Sequence, residues 1–356
     1  MTSPYLSKKY SSLKAYVPGE QPKDKRYIKL NTNESPYPPS EGVREVLNAQ
    51  NAARLPLYPD PEATALRSAL AESFGVGIEN VAVSNGSDDV LNFVFMAYGA
   101  DRKAVFPDLT YGFYSVFCEL HGIDYEKIPL KDDFTVDPDE YIGGKRLVVI
   151  ANPNAPTGLA LPKSEIERIV TGSPDSVVLI DEAYVDFGGE SAVPLTKKYK
   201  NLIVVGTFSK SRSLAGARLG YAVADESLIA DLTLLKYSTN PYDIDYITQL
   251  VGAAAVADAT YYKENCRRII ETRTAFTEAL EALGFEVLPS KTNFVLAKHP
   301  TVEGKLIFDK LRDAGILVRR FDNERIKDYN RITVGTREDM KTVADAISKI
   351  ICDSAK

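Results

Sequence analysis

Between about residues 80 and 225 the chain repeats one phrase: a short apolar run, a polar or glycine-bearing turn, and often a helix-like stretch. VAV (81–83) precedes SNGSDD and the amphipathic VLNFVFMAY, and AVF (104–106) precedes PDLTYGFY. RLVVIA (146–151) precedes NPNAPTG and KSEIERIV. SVVLI (176–180) precedes DEAYVDF, and NLIVV (201–205) precedes GTFSK. Runs that are apolar throughout, without alternation, belong to strands buried on both faces. Their alternation with helical segments predicts an α/β fold with a mostly parallel sheet covered by helices. In such sheets ligands bind just beyond the carboxyl ends of the strands, so the residues that follow each run are the first place to look for chemistry.

Beyond Asn240 and Pro241 the texture changes. Residues 246–283 read as nearly continuous helix, with Glu264 and Arg268 at pairing distance and Gly284 as its stop. FEVL and NFVLA follow as short strands, then a helix near 303–314, GILVRR, RITVG and a terminal helix from Glu338. This is a second, smaller α/β unit. The expected organisation is an N-terminal arm over residues 1–40 packing with the small domain, a large domain over 41–245 and a small domain over 246–356.

Composition excludes several classes of function. At 356 residues the chain suits a large domain plus a smaller one. A formal charge of −6 argues against a nucleic-acid partner, which needs a basic face. No window holds the roughly 18 uninterrupted apolar residues of a membrane span. The polar start MTSPYLSKKYSSLKAY lacks the apolar middle of a signal peptide, so a cytoplasmic location is expected. Cys118, Cys266 and Cys352 lie far apart with no CxxC, and His121 and His299 are the only histidines. Neither a disulfide framework, a metal site nor a Ser-His-Asp triad is indicated.

The unusual polar residues sit at the strand ends. SNGSDD follows one strand, and free N–H groups around Gly86, Ser87 and Asp88 at a helix start are suited to cradling a phosphate. Asn152 and Asn154 follow a second. Asp181 ends a third, where a carboxylate is costly to bury without a partner. Thr207, Ser209 and Lys210 follow a fourth, with Arg218 eight residues beyond the lysine. A lone lysine at a strand end is ordinarily solvated. Four such ends place a carboxylate, a lysine, an amide and a glycine turn along one edge of a sheet.

In order along the chain, NGSDD, TYGFY, NPNAPTG, DEAYVDF, TFSKSRSLAGARLG and RITVGT resemble the fold-type I pyridoxal-phosphate enzymes, the aspartate aminotransferase superfamily. LNTNESPYPPS, LYPDPEATALR and SKSRSLAGARLGY make the chain most similar to the branch of histidinol-phosphate aminotransferases. The resemblance implies pyridoxal 5'-phosphate as cofactor. Lys210 would hold it as a Schiff base and shuttle the proton, Asp181 would pair with the pyridine nitrogen, and Tyr184 would bond the ring's phenolic oxygen. Tyr111 would stack on the ring. The phosphate would take the amides of Gly86, Ser87 and Asp88, the hydroxyls of Thr207 and Ser209, and Arg218. Tyr58 matches a tyrosine that reaches the neighbouring subunit's cofactor, which implies a homodimer with shared sites; from the sequence alone it is equally a packed aromatic.

For substrate, Arg331 matches an arginine that binds the substrate carboxylate in the superfamily and would meet the substrate phosphate in this branch. Arg319 matches a second phosphate-binding arginine, with the adjacent Arg320 as the other choice. Tyr16 and Asn33 fall where the arm closes over the substrate. The implied reaction joins histidinol phosphate and imidazole acetol phosphate to glutamate and 2-oxoglutarate. One departure stands out: the family phrase is NPNNPTG, and its amide to the phenolic oxygen is replaced here by Ala155. Either Tyr184 holds that oxygen alone, or Asn154 or Asn152 shifts to substitute, with Asn154 the expected choice. Two rivals share the scaffold, an aromatic amino acid aminotransferase and a threonine-phosphate decarboxylase. A ligand-sensing regulator would need a DNA-binding domain for which the chain has no spare length or basic patch.

Overall fold

The computed structural model describes residues 3–354. In chain order, β1 (Ile28–Lys29) lies in the arm. The large sheet comprises β2 (Val81–Asn85), β3 (Lys103–Pro107), β4 (Tyr125–Ile128), β5 (Arg146–Ala151), β6 (Val177–Asp181), β7 (Leu202–Thr207) and β8 (Leu219–Ala224). Their spatial order is β2-β8-β7-β6-β5-β3-β4. Every neighbouring pair is parallel except those made by β8, which runs antiparallel to both β2 and β7.

Alternate residues serve opposite faces, as the pleat requires. Leu147, Val149, Leu179, Ile203 and Val205 pack with the helices Gly86–Tyr98, Phe113–His121 and Glu226–Thr239. Val148, Ile150, Val178, Ile180 and Val204 pack with Ile166, Ile169 and Val170 of the helix Lys163–Thr171 on the other face. The central strands are buried on both faces, which is why their sequences carry no polar alternation. Two strands escape the apolar-run reading for opposite reasons. β4 is an edge strand with exposed Glu126 and Lys127. β8 follows a loop so closely that LGYAVA reads as the tail of the polar motif before it.

The second sheet is antiparallel, in the order β12 (Arg319–Arg320), β13 (Asn330–Thr333), β10 (Phe294–Lys298), β9 (Glu286–Val287). β11 (Ile316–Leu317) leaves it to pair in parallel with β1, which ties the arm to this sheet. The helices Ala259–Ala282, Gly304–Asp313 and Arg337–Ser354 cover it.

The helix expected over 246–283 is two helices, Tyr246–Ala257 and Ala259–Ala282, broken at Asp258 with φ −86° and ψ 33°. The break has a packing reason. Val251, Ala255 and Tyr262 belong to the core beside Leu66 and Leu219, whereas Cys266, Ile269, Phe276 and Leu280 belong to the core of the second sheet. One straight rod cannot present both stripes. Among the described residues no helix is long and apolar enough to cross a membrane, and no cluster of three or more metal-ligating side chains occurs.

Candidate active site

The carboxyl ends of β6 and β7, the start of the helix Gly86–Tyr98, the arm and the second sheet enclose one cavity of about 530 Å³. Its cup-shaped end is built from backbone geometry. Gly86 has φ +84°, and a Cβ there would stand 2.6 Å from Nη2 of Arg218. Gly220 passes so close that its Cβ would stand 2.2 Å from the amide of Ser87. Glycine at both points brings the first-turn amides, which have no intrahelical acceptor, up to the cavity. Ser87 and Asp88 line it; Gly86 lies behind them, bridged to Leu219.

Thr207 and Ser209 face the same cup. The Thr207 hydroxyl donates to Oγ of Ser209 at 3.0 Å and accepts the Ser209 amide at 3.1 Å. Arg218 lines the cup too, its Nη2 3.1 Å from Oδ2 of Asp88, while the Tyr111 hydroxyl donates to the other oxygen of Asp88 at 2.8 Å. Amides at a helix start, two hydroxyls and a guanidinium form a donor set for a phosphate monoester.

Asp181, at the last position of β6, is 5% exposed. Its Oδ2 accepts the Tyr114 hydroxyl at 2.8 Å and its Oδ1 accepts the Ala183 amide at 3.1 Å. Burial raises its carboxyl from 3.8 to about 6 against the pull of these two bonds. A carboxylate in that position calls for a cationic hydrogen-bond donor from the cavity. Lys210 reaches the cavity from the loop after β7, its Nζ 3.3 Å from the carbonyl of Thr32 in the arm. Nζ lies 5.9 Å from the centre of the Tyr184 ring, which packs edge-on against Phe294.

The opposite wall comes from the arm and the second sheet. Tyr16 packs against Phe113 with ring centres 4.5 Å apart and meets Tyr111 edge-on at 6.2 Å. Asn33 lines the cavity, yet its side chain is held by protein. Nδ2 donates to the Tyr184 hydroxyl at 2.9 Å, and Oδ1 accepts the Thr333 hydroxyl at 3.0 Å.

Arg319 and Arg331 are directly opposed across β12 and β13, and both line the cavity. Like charges directly opposed on a sheet are destabilising without a compensating anion. Neither has an ion-pair partner among the described residues. Nη2 of Arg331 donates to the Asn31 carbonyl at 3.0 Å, its Nε has no hydrogen-bond partner, and Arg319 donates to the Val17 carbonyl at 3.5 Å. Both guanidiniums lie over the Phe321 ring, Arg331 at 5.4 Å and Arg319 at 5.7 Å from its centre. Arg320 points elsewhere, paired with Asp322 at 2.7 Å. The choice between Arg319 and Arg320 as a cavity residue is thereby decided by the register of β12.

Besides Gly86, two expected residues lie outside the cavity, Asn154 and Tyr58. Asn154 does not take the place left by Ala155. Its Nδ2 donates to the Leu109 carbonyl and to the Thr157 hydroxyl, both at 3.0 Å, and its Oδ1 accepts the Thr110 hydroxyl at 2.8 Å. Asn152 is held by the amide and carbonyl of Leu161. A buried loop must satisfy its own polar groups, and both asparagines do that here. Tyr58 is 81% exposed and stacks on Tyr242 with ring centres 4.5 Å apart. Sequence reasoning also missed Tyr114. It lies in the first turn of the helix Phe113–His121, three residues after Tyr111 in the loop before it, but nothing local pairs it with Asp181.

The sequence profile of the family described as "Aminotransferase class I and II" matches residues 25–347. A histidinol-phosphate aminotransferase of Brachyspira hyodysenteriae is 48% identical over 98% of this chain and 99% of its own length. One from a Marinomonas species is 49% identical over 98% of this chain and all of its own length. The crystal structure of histidinol-phosphate aminotransferase from Sinorhizobium meliloti in complex with pyridoxal-5'-phosphate superposes with a TM-score of 0.87 at 25% identity, covering 99% of both chains. With the strand-end lysine, the buried aspartate and the glycine-built cup on one cavity, the chain belongs to the class I and II aminotransferases.

Proposed function

We propose that this chain is a pyridoxal-phosphate-dependent aminotransferase that interconverts histidinol phosphate and imidazole acetol phosphate, with glutamate and 2-oxoglutarate as the second pair. One observation carries the reading: a single cavity holds two separate phosphate-type donor sets, the cup around Ser87, Thr207, Ser209 and Arg218, and the opposed guanidiniums of Arg319 and Arg331. The first suits a cofactor phosphate and the second a phosphorylated substrate.

The residues fit the cofactor. The cup is one that a Cβ at Gly86 or Gly220 would disrupt, and Asp181 is a buried acceptor whose hydrogen-bond partners, Tyr114 and the Ala183 amide, are both neutral. Pyridoxal phosphate, when bound, supplies an electron sink that lets an amino group leave one carbon skeleton and enter another. Asp181 would hold a proton on the pyridine nitrogen. The Tyr184 hydroxyl, accepting from Asn33, keeps its own proton for the phenolic oxygen. The Tyr111 ring, pinned by Asp88, supports the cofactor's face. Lys210 would anchor the cofactor at Nζ and, once the substrate's amino group has taken its place there, would carry the proton at that same atom. Arg319 and Arg331 grip the substrate phosphate, and the α-carboxylate of glutamate in the other half of the cycle.

Tyr58 supports a homodimer with shared sites, since a tyrosine this exposed beside exposed Leu55 and Leu57 suits burial against a second copy. Residues 41–245 serve as the cofactor domain, 246–356 as the small domain and 1–40 as the arm, in a cytoplasmic enzyme. The test is the first half-reaction, followed by absorbance over a panel of amino donors. Histidinol phosphate should react far faster than unphosphorylated histidinol. Equal rates would point to an aromatic amino acid aminotransferase, and carbon dioxide from phosphothreonine without an oxo acid would make the chain a lyase.

A further inference from the structure

Arg273, on the helix Ala259–Ala282, is 7% exposed and forms no ion pair among the described residues. Burial alone moves its guanidinium down to about 10. Desolvating a charge without a counter-charge is costly. An apolar side chain would fill the same space without that cost, so packing does not account for arginine here. What the guanidinium does is join two carbonyls: Nη1 donates to Phe187 at 2.9 Å and to Thr292 at 2.5 Å.

Both acceptors belong to segments that hold Tyr184. Phe187 closes the short 3-10 turn Val185–Phe187, which Tyr184 opens. Thr292 precedes Asn293, whose Nδ2 donates to the Asn33 carbonyl at 3.0 Å, and Nδ2 of Asn33 in turn donates to the Tyr184 hydroxyl. The backbone of Tyr184 is therefore reached through Phe187 and its hydroxyl through Thr292, Asn293 and Asn33, with Arg273 closing the ring of contacts. The same loop reaches the 152–158 segment, where the Lys291 amide donates to the Gly158 carbonyl at 2.7 Å. Gly188, at φ +118°, lets the chain turn under the guanidinium; a Cβ there would lie 3.8 Å from Nη2 of Arg273.

We infer that Arg273 is a positioning residue that fixes the Tyr184 hydroxyl at the ring edge of the cofactor site. The inference rests on the cofactor reading above. It carries weight because Ala155 offers no polar group on that side and Asn152 and Asn154 are held within their loop. Tyr184 then bears the phenolic oxygen without help from that loop, and a small displacement of its hydroxyl changes the bond directly.

The test uses the holoenzyme and the Arg273→Lys variant, which keeps the charge but ends one bond short of Nη1, the nitrogen that donates both bonds. The pH titration of the cofactor's visible band is compared with that of Tyr184→Phe and of the double variant. Arg273→Lys should move the midpoint upward, on the order of half a pH unit, in the same direction as Tyr184→Phe. The double variant should move no further than Tyr184→Phe alone. With histidinol phosphate, kcat should fall about tenfold while KM stays within about twofold. An unshifted midpoint in folded Arg273→Lys, or shifts that add in the double variant, would overturn the inference. Asn293→Ser cuts the same frame on its other side and should shift the midpoint likewise; if Arg273→Lys does not fold, an unshifted Asn293→Ser overturns it. A wild-type chain that shows no visible band with pyridoxal phosphate would overturn the cofactor reading itself.

Discussion

The two ends of the cavity are built on opposite electrostatic plans. At the large-sheet end every functional side chain already has a protein partner. Arg218 and Tyr111 share Asp88, Thr207 bonds Ser209, and Asp181 takes Tyr114 and Ala183. At the second-sheet end Arg319 and Arg331 face each other across two strands and meet carbonyls and aromatic rings but no carboxylate among the described residues. Burial lowers the pKa of Arg331, and Arg319 lowers it further, so that end favours an anion with nothing on the protein to supply one. On the proposed function the first end is preorganised for the cofactor, and the second stores a charge imbalance for a substrate anion to relieve, which is where discrimination between substrates would be strongest.

The largest effect should come from the point where the two ends meet. Lys210→Ala should lower kcat by at least about 10⁴-fold and let the cofactor leave on dialysis. Turnover by the variant near the wild-type rate would remove the lysine from the chemistry. Next, Arg331→Met should cut kcat/KM for histidinol phosphate by about 10²- to 10³-fold while changing that for unphosphorylated histidinol less than about threefold. Equal losses on both compounds would mean that the second-sheet end only holds structure.

At the large-sheet end the contrast appears as a pH dependence. Asp181 in the cofactor-free fold keeps its proton to higher pH than in the unfolded chain. The stability tied to that proton is full below about 3.8 and is lost as pH rises through about 6. That interval is worth roughly 3 kcal/mol. The unfolding temperature of the cofactor-free wild type should therefore fall relative to Asp181→Asn between about pH 4 and pH 7, and bound cofactor should close the gap by supplying a cation. A difference that does not vary with pH would mean that Asp181 is already ionised in the empty fold. Smallest, Thr207→Ala should weaken cofactor binding about tenfold, the size of one hydrogen bond to a charged group, and leave KM for histidinol phosphate within about twofold. A change in KM alone would place Thr207 with the substrate.

How much of this was legible in the sequence follows the same division. Each component of the large-sheet end belongs to one local phrase, an apolar run and the residues directly after it. Lys210, Asp181 and the Gly86 turn could thus be singled out by position, while their roles and that of Arg218 came from the family resemblance. The second-sheet end could not. Arg319 and Arg320 are adjacent and chemically identical, and only the pairing of β12 with β13 sends one into the cavity and the other to Asp322. Asn154 failed as the substitute for Ala155 because three loop groups, at Leu109, Thr110 and Thr157, compete for the same side chain.

By itself, then, the sequence determined the α/β class, the strand ends and the residues that follow them, because periodicity and composition report the burial of each residue and its near neighbours. Tertiary structure alone decided which distant groups share a hydrogen bond. It gave Tyr114 to Asp181, Asn33 to Tyr184 and the carbonyls of Phe187 and Thr292 to Arg273. It also broke the long helix at Asp258 so that one stretch of chain could serve two cores. Such choices depend on register and on competition among buried partners 19 to 151 residues apart, and no local pattern encodes either.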